Sequence, residues 1–352
     1  MFSDLKAASL EFTRPGHLKI RRIRRGNGFT YVRSDGSKIR ERTTIRRLER
    51  LAVPPAYRET VFAINPHAHI QAVGRDAAGR LQYRYHPNWE RIRELRKARR
   101  LARLIDLMPS VRRNIARLLK QKDTTRDVVA ATMVDLIACT AIRSGSEAYA
   151  RERGTRGAAT LLKRHVRVIG DEIVLSFPGK GGKWVEKQYR SHRLSTAIRR
   201  LLRIPGSRVF QYIADNGAVQ PLRRRDATVF LRKITTDKVS LKDFRTLSAC
   251  SHALEHLARL DPRPSERGKR TQIKSVLRQV ANELANTPAV CKRSYVHALV
   301  IKAFENGRLR KLSLASRSNG RNKGHRLLQT ILRNASAIRV TGEPESRRSR
   351  SF

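Results

Sequence analysis

The segment LANTPAVCKRSYVHALV, Leu284 to Val300, sets one tyrosine, Tyr295, beside Lys292 and Arg293 and behind a Thr287-Pro288 break. A phenol with a free pKa of about 10 becomes a useful nucleophile when nearby cations stabilise its anion. Taken alone, Tyr295 reads as a packing residue on a basic surface helix. Four more positions stand out, each in a different stretch: Arg143 in AIRSGSEAYARERG, Lys180 in FPGKGGKW, Arg245 in KDFRTL and Asn286 before Thr-Pro. Each also has a plain reading, as a solvated arginine, a turn lysine or an N-cap asparagine. Their types still carry distinct chemical capacities. Guanidiniums donate two hydrogen bonds in a rigid fork and never lose their charge, a lysine can deliver a proton, and an amide adds a further donor.

The elements that must position these groups fall into two parts. Residues 1–88 read as strands and turns: GFTYVRSDGSKI signals a hairpin at Asp35-Gly36, and HIQAVGRDAAGRLQYRYHP signals a second with DAAGR as its loop. Between them TTIRRLERLAVPP predicts a short helix stopped by Pro54-Pro55. From Asn88 the periodicity becomes helical and strongly basic. In TTRDVVAATMVDLIACTAIRSG, Val129, Met133, Leu136 and Ile137 share one face that belongs in a core. HVRVIGDEIVLSFPGKGGKWVEKQY breaks the rhythm and predicts three antiparallel strands, with Lys180 at the second turn. Helices resume through RRRDATVFLRKI, KDFRTLSACSHALEHLARL and RTQIKSVLRQVANELANTP, the last with Ile273, Val276, Leu277, Val280 and Leu284 on one face. The fold class is α+β, with a β-rich domain over 1–88, a mainly helical domain over 89–306 holding a three-stranded antiparallel sheet, and a flexible basic tail over 307–352.

Composition narrows the partners. The 352 residues are 39% hydrophobic, enough for a core, yet 77 Lys+Arg face 29 Asp+Glu for a formal charge of +48. Such a charge opposes compaction and calls for a polyanion in use, with nucleic acid first because binding releases its counterions. No apolar run spans a membrane and no signal-peptide core opens the chain, so the expectation is a soluble, cytoplasmic, nucleoid-associated protein. Cys139, Cys250 and Cys291 are widely spaced and odd in number, which fits buried thiols in a reduced compartment. His67 and His69 in HAHIQ read as turn or strand-face residues, and no structural or catalytic metal is expected.

The order and separation of the motifs resemble the type IB DNA topoisomerases, in the small bacterial branch that is similar to the poxvirus enzyme. The resemblance runs from about Ile20 to Ala303 and rests on LAVPPAY, HIQAVGRDAAGRLQYRYHPNW, RSGSEAYARERGT, FPGKGG, KDFRT and NTPAVCKRSYVH. Arg143 and Lys180 are 37 residues apart, Arg245 and Asn286 are 41, and Asn286 and Tyr295 are 9, in keeping with the family. It implies a β-rich and a helical domain that clamp duplex DNA. It also implies Tyr295 as nucleophile, Arg143, Arg245 and Asn286 as donors to the phosphoryl oxygens, and Lys180 as general acid. The product is a 3′-phosphotyrosyl strand, resealed without ATP, metal or cofactor. Gln82, Tyr83 and Tyr85 in LQYRY match a segment that lies on DNA in the family, although packing on their own sheet competes for the tyrosines. A monomer with no obligate protein partner is expected.

Departures from the family pattern are Leu247 where tryptophan is expected, Ala285 for glycine, Ala298 for proline, and Asn286 where poxvirus-like relatives carry histidine. His297, two residues past Tyr295, reads as a surface or phosphate-contacting histidine. Two alternatives compete. A tyrosine recombinase uses the same groups, but KVSLKDF lacks the histidine those enzymes place before the second arginine, and their N-terminal domain is helical. A non-enzymatic nucleoid-binding protein would explain the charge alone.

Overall fold

Ahead of residue 87, β-branched and aromatic runs punctuated by turn residues build a five-stranded sheet. The computed structural model describes residues 2–26, 28–315 and 321–336. After a short helix α1 (Phe2–Ala7) come β1 (Ile20–Arg25), β2 (Gly28–Val32), α2 (Arg42–Arg50), β3 (Arg58–Phe62), β4 (Ile70–Arg75) and β5 (Leu81–Tyr85). All pairs are antiparallel, in the order β2-β1-β3-β4-β5. Ile20, Tyr31, Ile39, Leu48, Phe62 and Ala72 bury together under α2. Both turns foreseen in the sequence are present. At Asp35-Gly36 the Asp35 carboxylate accepts Ser37 N at 2.8 Å, but the return is only a bridge from Lys38 to Val32. The β4–β5 loop closes through Asp76 N to Arg80 O at 3.0 Å, and the Arg80 side chain holds the Asp76 carboxyl down at about 2. The Pro54-Pro55 stop after α2 is fastened by Arg22 of β1, which donates to Val53 O and Pro54 O, both at 2.8 Å.

Cα packing divides the chain into two compact units, one holding the residues up to Arg96 and the other Lys97–Ala335. The division, like the expected boundary at 88, falls within one long helix, α3 (Pro87–Leu119).

The second unit is organised around α4 (Arg126–Thr140), which packs against elements from several directions. Where one apolar stripe was expected, every residue from Val128 to Ile137 is buried, including Asp135, because a helix at the centre of a unit has no solvent face. Burial pushes the Asp135 carboxyl up, and Arg193 at 3.0 Å opposes that. After α5 (Glu147–Arg153), β6 (Val166–Ile169), β7 (Glu172–Pro178) and β8 (Trp184–Arg190) form the three-stranded antiparallel sheet in the order β6-β7-β8. Ile173, Leu175 and Phe177 of β7 alternate inward, as period two requires. Then come α6 (His192–Arg203), a small hairpin of β9 (Gln211–Ile213) and β10 (Val219–Pro221) that the sequence did not announce, α7 (Arg224–Thr235), α8 (Leu241–Ala258) and α9 (Glu266–Glu283). The five apolar positions foreseen for α9 are all buried.

Beyond α10 (Pro288–Val290) and α11 (Ala298–Glu305), the structure differs from the expected flexible tail. α12 (Arg308–Ala315) and α13 (Arg321–Ser336) are helices, and Leu309, Leu327, Leu328, Ile331 and Leu332 belong to the main core. Arg333 of α13 reaches Asp106 of α3 at 3.0 Å. Residues 316–320 and 337–352 of that predicted tail lie outside the described residues. Among the described residues, no helix is long and apolar enough to cross a membrane, and none of the three cysteines forms a disulfide.

Candidate active site

Arg143 leaves the end of α4. That helix stops at Ala141, which turns left-handed at φ +54° while its N–H reaches Ile137 O at 2.9 Å. The backbone that follows is held tightly: Arg143 O accepts Ala158 N at 2.8 Å. A Cβ on Gly157 would lie 2.6 Å from Arg143 O and 2.5 Å from Gly145 N, so only glycine fits there. The half-buried Arg143 side chain donates Nη1 to Ala285 O at 3.4 Å.

Arg245, 4% exposed, projects from the first turns of α8, whose start is capped by Asp243 accepting Ser240 N at 2.9 Å. Its fork spans two elements: Nη1 donates to Ala141 O and Nη2 to Leu284 O. Its Nε is buried without a protein partner. Burial draws its pKa below the ordinary arginine value, the Arg143 charge adds to this, and the Tyr295 phenol opposes it. The guanidinium carbon stands 5.2 Å from the centre of the Tyr295 ring.

Lys180 rides the β7–β8 turn, closed by Gly179 N to Lys183 O at 2.7 Å, with Gly181 and Gly182 both at positive φ. Its amine is exposed. The far side of the same turn is moored, because Lys183 Nζ donates to Asn286 O at 2.9 Å. The turn that follows α9 is thus a meeting point. Leu284 O, Ala285 O and Asn286 O accept, in succession, Arg245, Arg143 and Lys183. A helix C-terminus has unpaired carbonyls and a negative dipole end, which suits cations. The turn itself is tied by Asn286 N to Ala281 O at 2.8 Å. Asn286 Oδ1 accepts Thr287 N at 3.1 Å, leaving the buried Nδ2 as a donor without a partner.

The Thr-Pro break restarts the chain. Thr287 caps α10, its hydroxyl accepting Val290 N at 3.3 Å, and Pro288 occupies the first helical position. Cys291–Tyr295 then widens into a π-helical turn, with Val296 N bonded to Cys291 O at 2.8 Å. Tyr295, 8% exposed, ends that turn. Cys250 of α8 holds the backbone on both sides, its thiol donating to Tyr295 O and accepting His297 N, each at 3.3 Å. His297 is buried, not a surface residue as expected. Its Nδ1 accepts Leu299 N at 3.2 Å and caps α11.

One open cleft of about 360 Å³ is lined by Arg143, Lys180, Arg245 and Tyr295 together. Four stretches up to 152 residues apart in sequence thus converge on one hollow. Asn286 does not line it. Lys242, Arg156, Arg224 and Tyr149 do, and sequence reasoning passed over all four. Lys242 carried a signal: it precedes Arg245 by three residues on a helix, hence on the same face, and its Nζ lies 5.8 Å from the Tyr295 ring centre. No Asp or Glu is among the residues lining the cleft. Through Gly145, Ser146 and Arg224 it adjoins a wider hollow of about 560 Å³ bordered by Arg223, Arg225 and Arg232.

Gln82, Tyr83 and Tyr85 sit on β5 in the first unit. Tyr83 is 37% exposed and stacks on Tyr85 with centroids 5.9 Å apart. Tyr85 is committed to packing, against Trp89 at 6.3 Å and under Arg93 at 5.3 Å. The Gln82 amide donates to Asp76 at 2.9 Å.

Comparison with known proteins decides the family. The family described as eukaryotic DNA topoisomerase I, catalytic core, matches residues 88–313, and that described as bacterial DNA topoisomerase IB, N-terminal domain, matches residues 28–76. The chain belongs to the DNA topoisomerase IB family. The DNA topoisomerase 1B of Acanthamoeba polyphaga mimivirus is 28% identical over 294 residues, which cover 82% of this chain and 88% of the viral protein. That of vaccinia virus (strain Copenhagen) is 23% identical over 243 residues, 66% of this chain and 72% of its own length. As a type IB topoisomerase the chain acts on DNA, and its β-rich N-terminal sheet and helical second unit accord with that family.

The departures noted in the sequence now have places in this topoisomerase. Leu247 is buried on α8, and Ala298 opens α11, a position that tolerates proline or alanine. Ala285 is the costly one, because it is held at φ +43°. A left-handed alanine is strained by about 1–2 kcal/mol, partly offset in any glycine by greater unfolded-state freedom. Ala285→Gly is therefore expected to stabilise the protein by about 0.5–1 kcal/mol, raising Tm by about 2 °C in a thermal melt. An unchanged or lowered Tm would show that the turn is not strained.

Proposed function

We propose that this topoisomerase relaxes supercoiled duplex DNA through a covalent 3′-phosphotyrosyl intermediate. The Tyr295 oxygen attacks a backbone phosphorus, the bond from phosphorus to the 5′ oxygen breaks, and that oxygen takes a proton from Lys180. The tyrosine proton passes to solvent. Arg143 and Arg245 donate to the non-bridging oxygens as charge builds on them, and the orphaned Asn286 Nδ2 is a further donor once the strand is seated. Resealing runs the same steps backwards, with the ester retaining the bond energy, so neither ATP nor a metal ion is called for. One chain supplies every group, which supports action as a monomer without an obligate protein partner.

The observation that carries this reading is the single basic cleft lined by Tyr295, both arginines and Lys180. The test is to stop the protein with denaturant during incubation with supercoiled plasmid and with end-labelled duplex, in EDTA and without nucleotide. The wild type is expected to relax the plasmid and give a labelled strand joined to protein through its 3′ end. Tyr295→Phe should give neither. Absence of the adduct in wild type, or its persistence in the variant, rules the reading out.

A further inference from the structure

The turn after α9 holds Arg245, Arg143 and Lys183 by three successive carbonyls, so whatever fixes that turn aligns all three. Immediately before it stands Glu283, the final residue of α9. A carboxylate at a helix C-terminus opposes the helix dipole, and a locally unfavourable choice of this kind calls for compensation from outside the helix. That compensation is visible. His252 Nδ1 contacts one Glu283 oxygen and His256 Nε2 lies 3.9 Å from the other. The two histidines sit one turn apart on α8, the helix that also bears Arg245 and Cys250. From β8, Lys187 faces the same carboxylate, and Lys187 lines the small hollow it shares with Arg143, Arg245 and Ala285. His252, then the histidine and lysine charges, hold the Glu283 carboxyl below its ordinary range. Burial lowers the pKa of Lys187, Glu283 raises it, and Arg245 lowers it further.

We propose that Glu283 is a positioning residue: in contact with His252, near His256 and facing Lys187, it fixes the turn after α9 and thereby the alignment of the guanidiniums and of the Lys180 hairpin. It does not touch the reacting phosphate, and it lines neither the cleft nor the adjoining hollow. The inference rests on the reading of the site above.

The experiment compares Glu283→Ala, Glu283→Gln, His252→Ala and the double alanine variant in the full chain, measuring duplex affinity and single-turnover covalent cleavage at saturating duplex. Misplacement of catalytic groups by an ångström slows chemistry by about 10²-fold. Glu283→Ala is expected to slow cleavage by about 10- to 100-fold with duplex affinity within about twofold, and Glu283→Gln, which keeps shape and polarity, should recover part of the rate. The double variant should be no slower than the slower single one, since both break the same contact. A wild-type rate in Glu283→Ala, equal losses in affinity and rate, no recovery in Glu283→Gln, or additive losses in the double variant would each overturn the proposal. A wild type that forms no adduct would instead overturn the reading of the site, and this inference with it.

Discussion

Arg245→Ala is expected to slow strand cleavage by about 10²–10³-fold at saturating DNA, the loss typical of removing one donor to a developing oxyanion. Two effects combine. The buried guanidinium reaches Ala141 O and Leu284 O while standing over the Tyr295 ring, so alanine removes both the proposed phosphate donor and a tie between the ends of α4 and α9. Each carbonyl left without its donor costs about 1–3 kcal/mol if it stays dry, so a drop in Tm should accompany the lost rate. Lysine should not restore the rate, because one ammonium cannot satisfy two carbonyls on separate elements and present a planar face to a phosphate. Single-turnover adduct formation beside a thermal melt checks both parts. A rate for Arg245→Lys within about tenfold of wild type would leave the fork geometry without a role.

Lys180→Ala should reduce cleavage by about 10²–10⁴-fold, the range for loss of a general acid. Its exposed amine on a turn with two positive-φ glycines can follow the strand, while Lys183 keeps the hairpin against Asn286. The assignment as an acid makes a sharper forecast. A duplex whose departing 5′ oxygen is replaced by sulfur needs little protonation, so the gap between Lys180→Ala and wild type should nearly close on it. If the gap stays the same, Lys180 acts through its charge and not its proton. No comparable closure is expected for Arg245→Ala, whose guanidinium is proposed to serve the non-bridging oxygens.

Much of this arrangement was legible because type and order survive in sequence. Arg143, Lys180, Arg245 and Tyr295 were picked out from four separated stretches, and they line one cleft. The three strands around Lys180 showed in their Val/Ile runs and intervening turns, and α9 in its buried face. What stayed hidden had non-local or exceptional causes. Nothing near Ile20 announces that β1 pairs with β3 at Phe62, because that contact is decided by which apolar faces are left to bury. The helix ends at Ala141 and Ala285 adopt left-handed geometry without the glycine that usually marks it, and tertiary ties to Arg245 and Arg143 hold them there. The π-helical turn before Tyr295 has no residue signature at all. In HRLLQTILR the spacing of Leu327, Leu328, Ile331 and Leu332 was itself helical, but the surrounding Ser, Asn and Arg outweighed it.

Those four residues change how the C-terminal end can be handled. A shortened protein stopping near residue 306 would look harmless by composition, since arginine and serine are the commonest residues it sheds. It would also uncover a greasy seam where Leu327, Leu328, Ile331 and Leu332 now sit, and Asp106 would lose its partner in Arg333. Any trimming for crystallisation therefore has to leave α13 in place through Ser336.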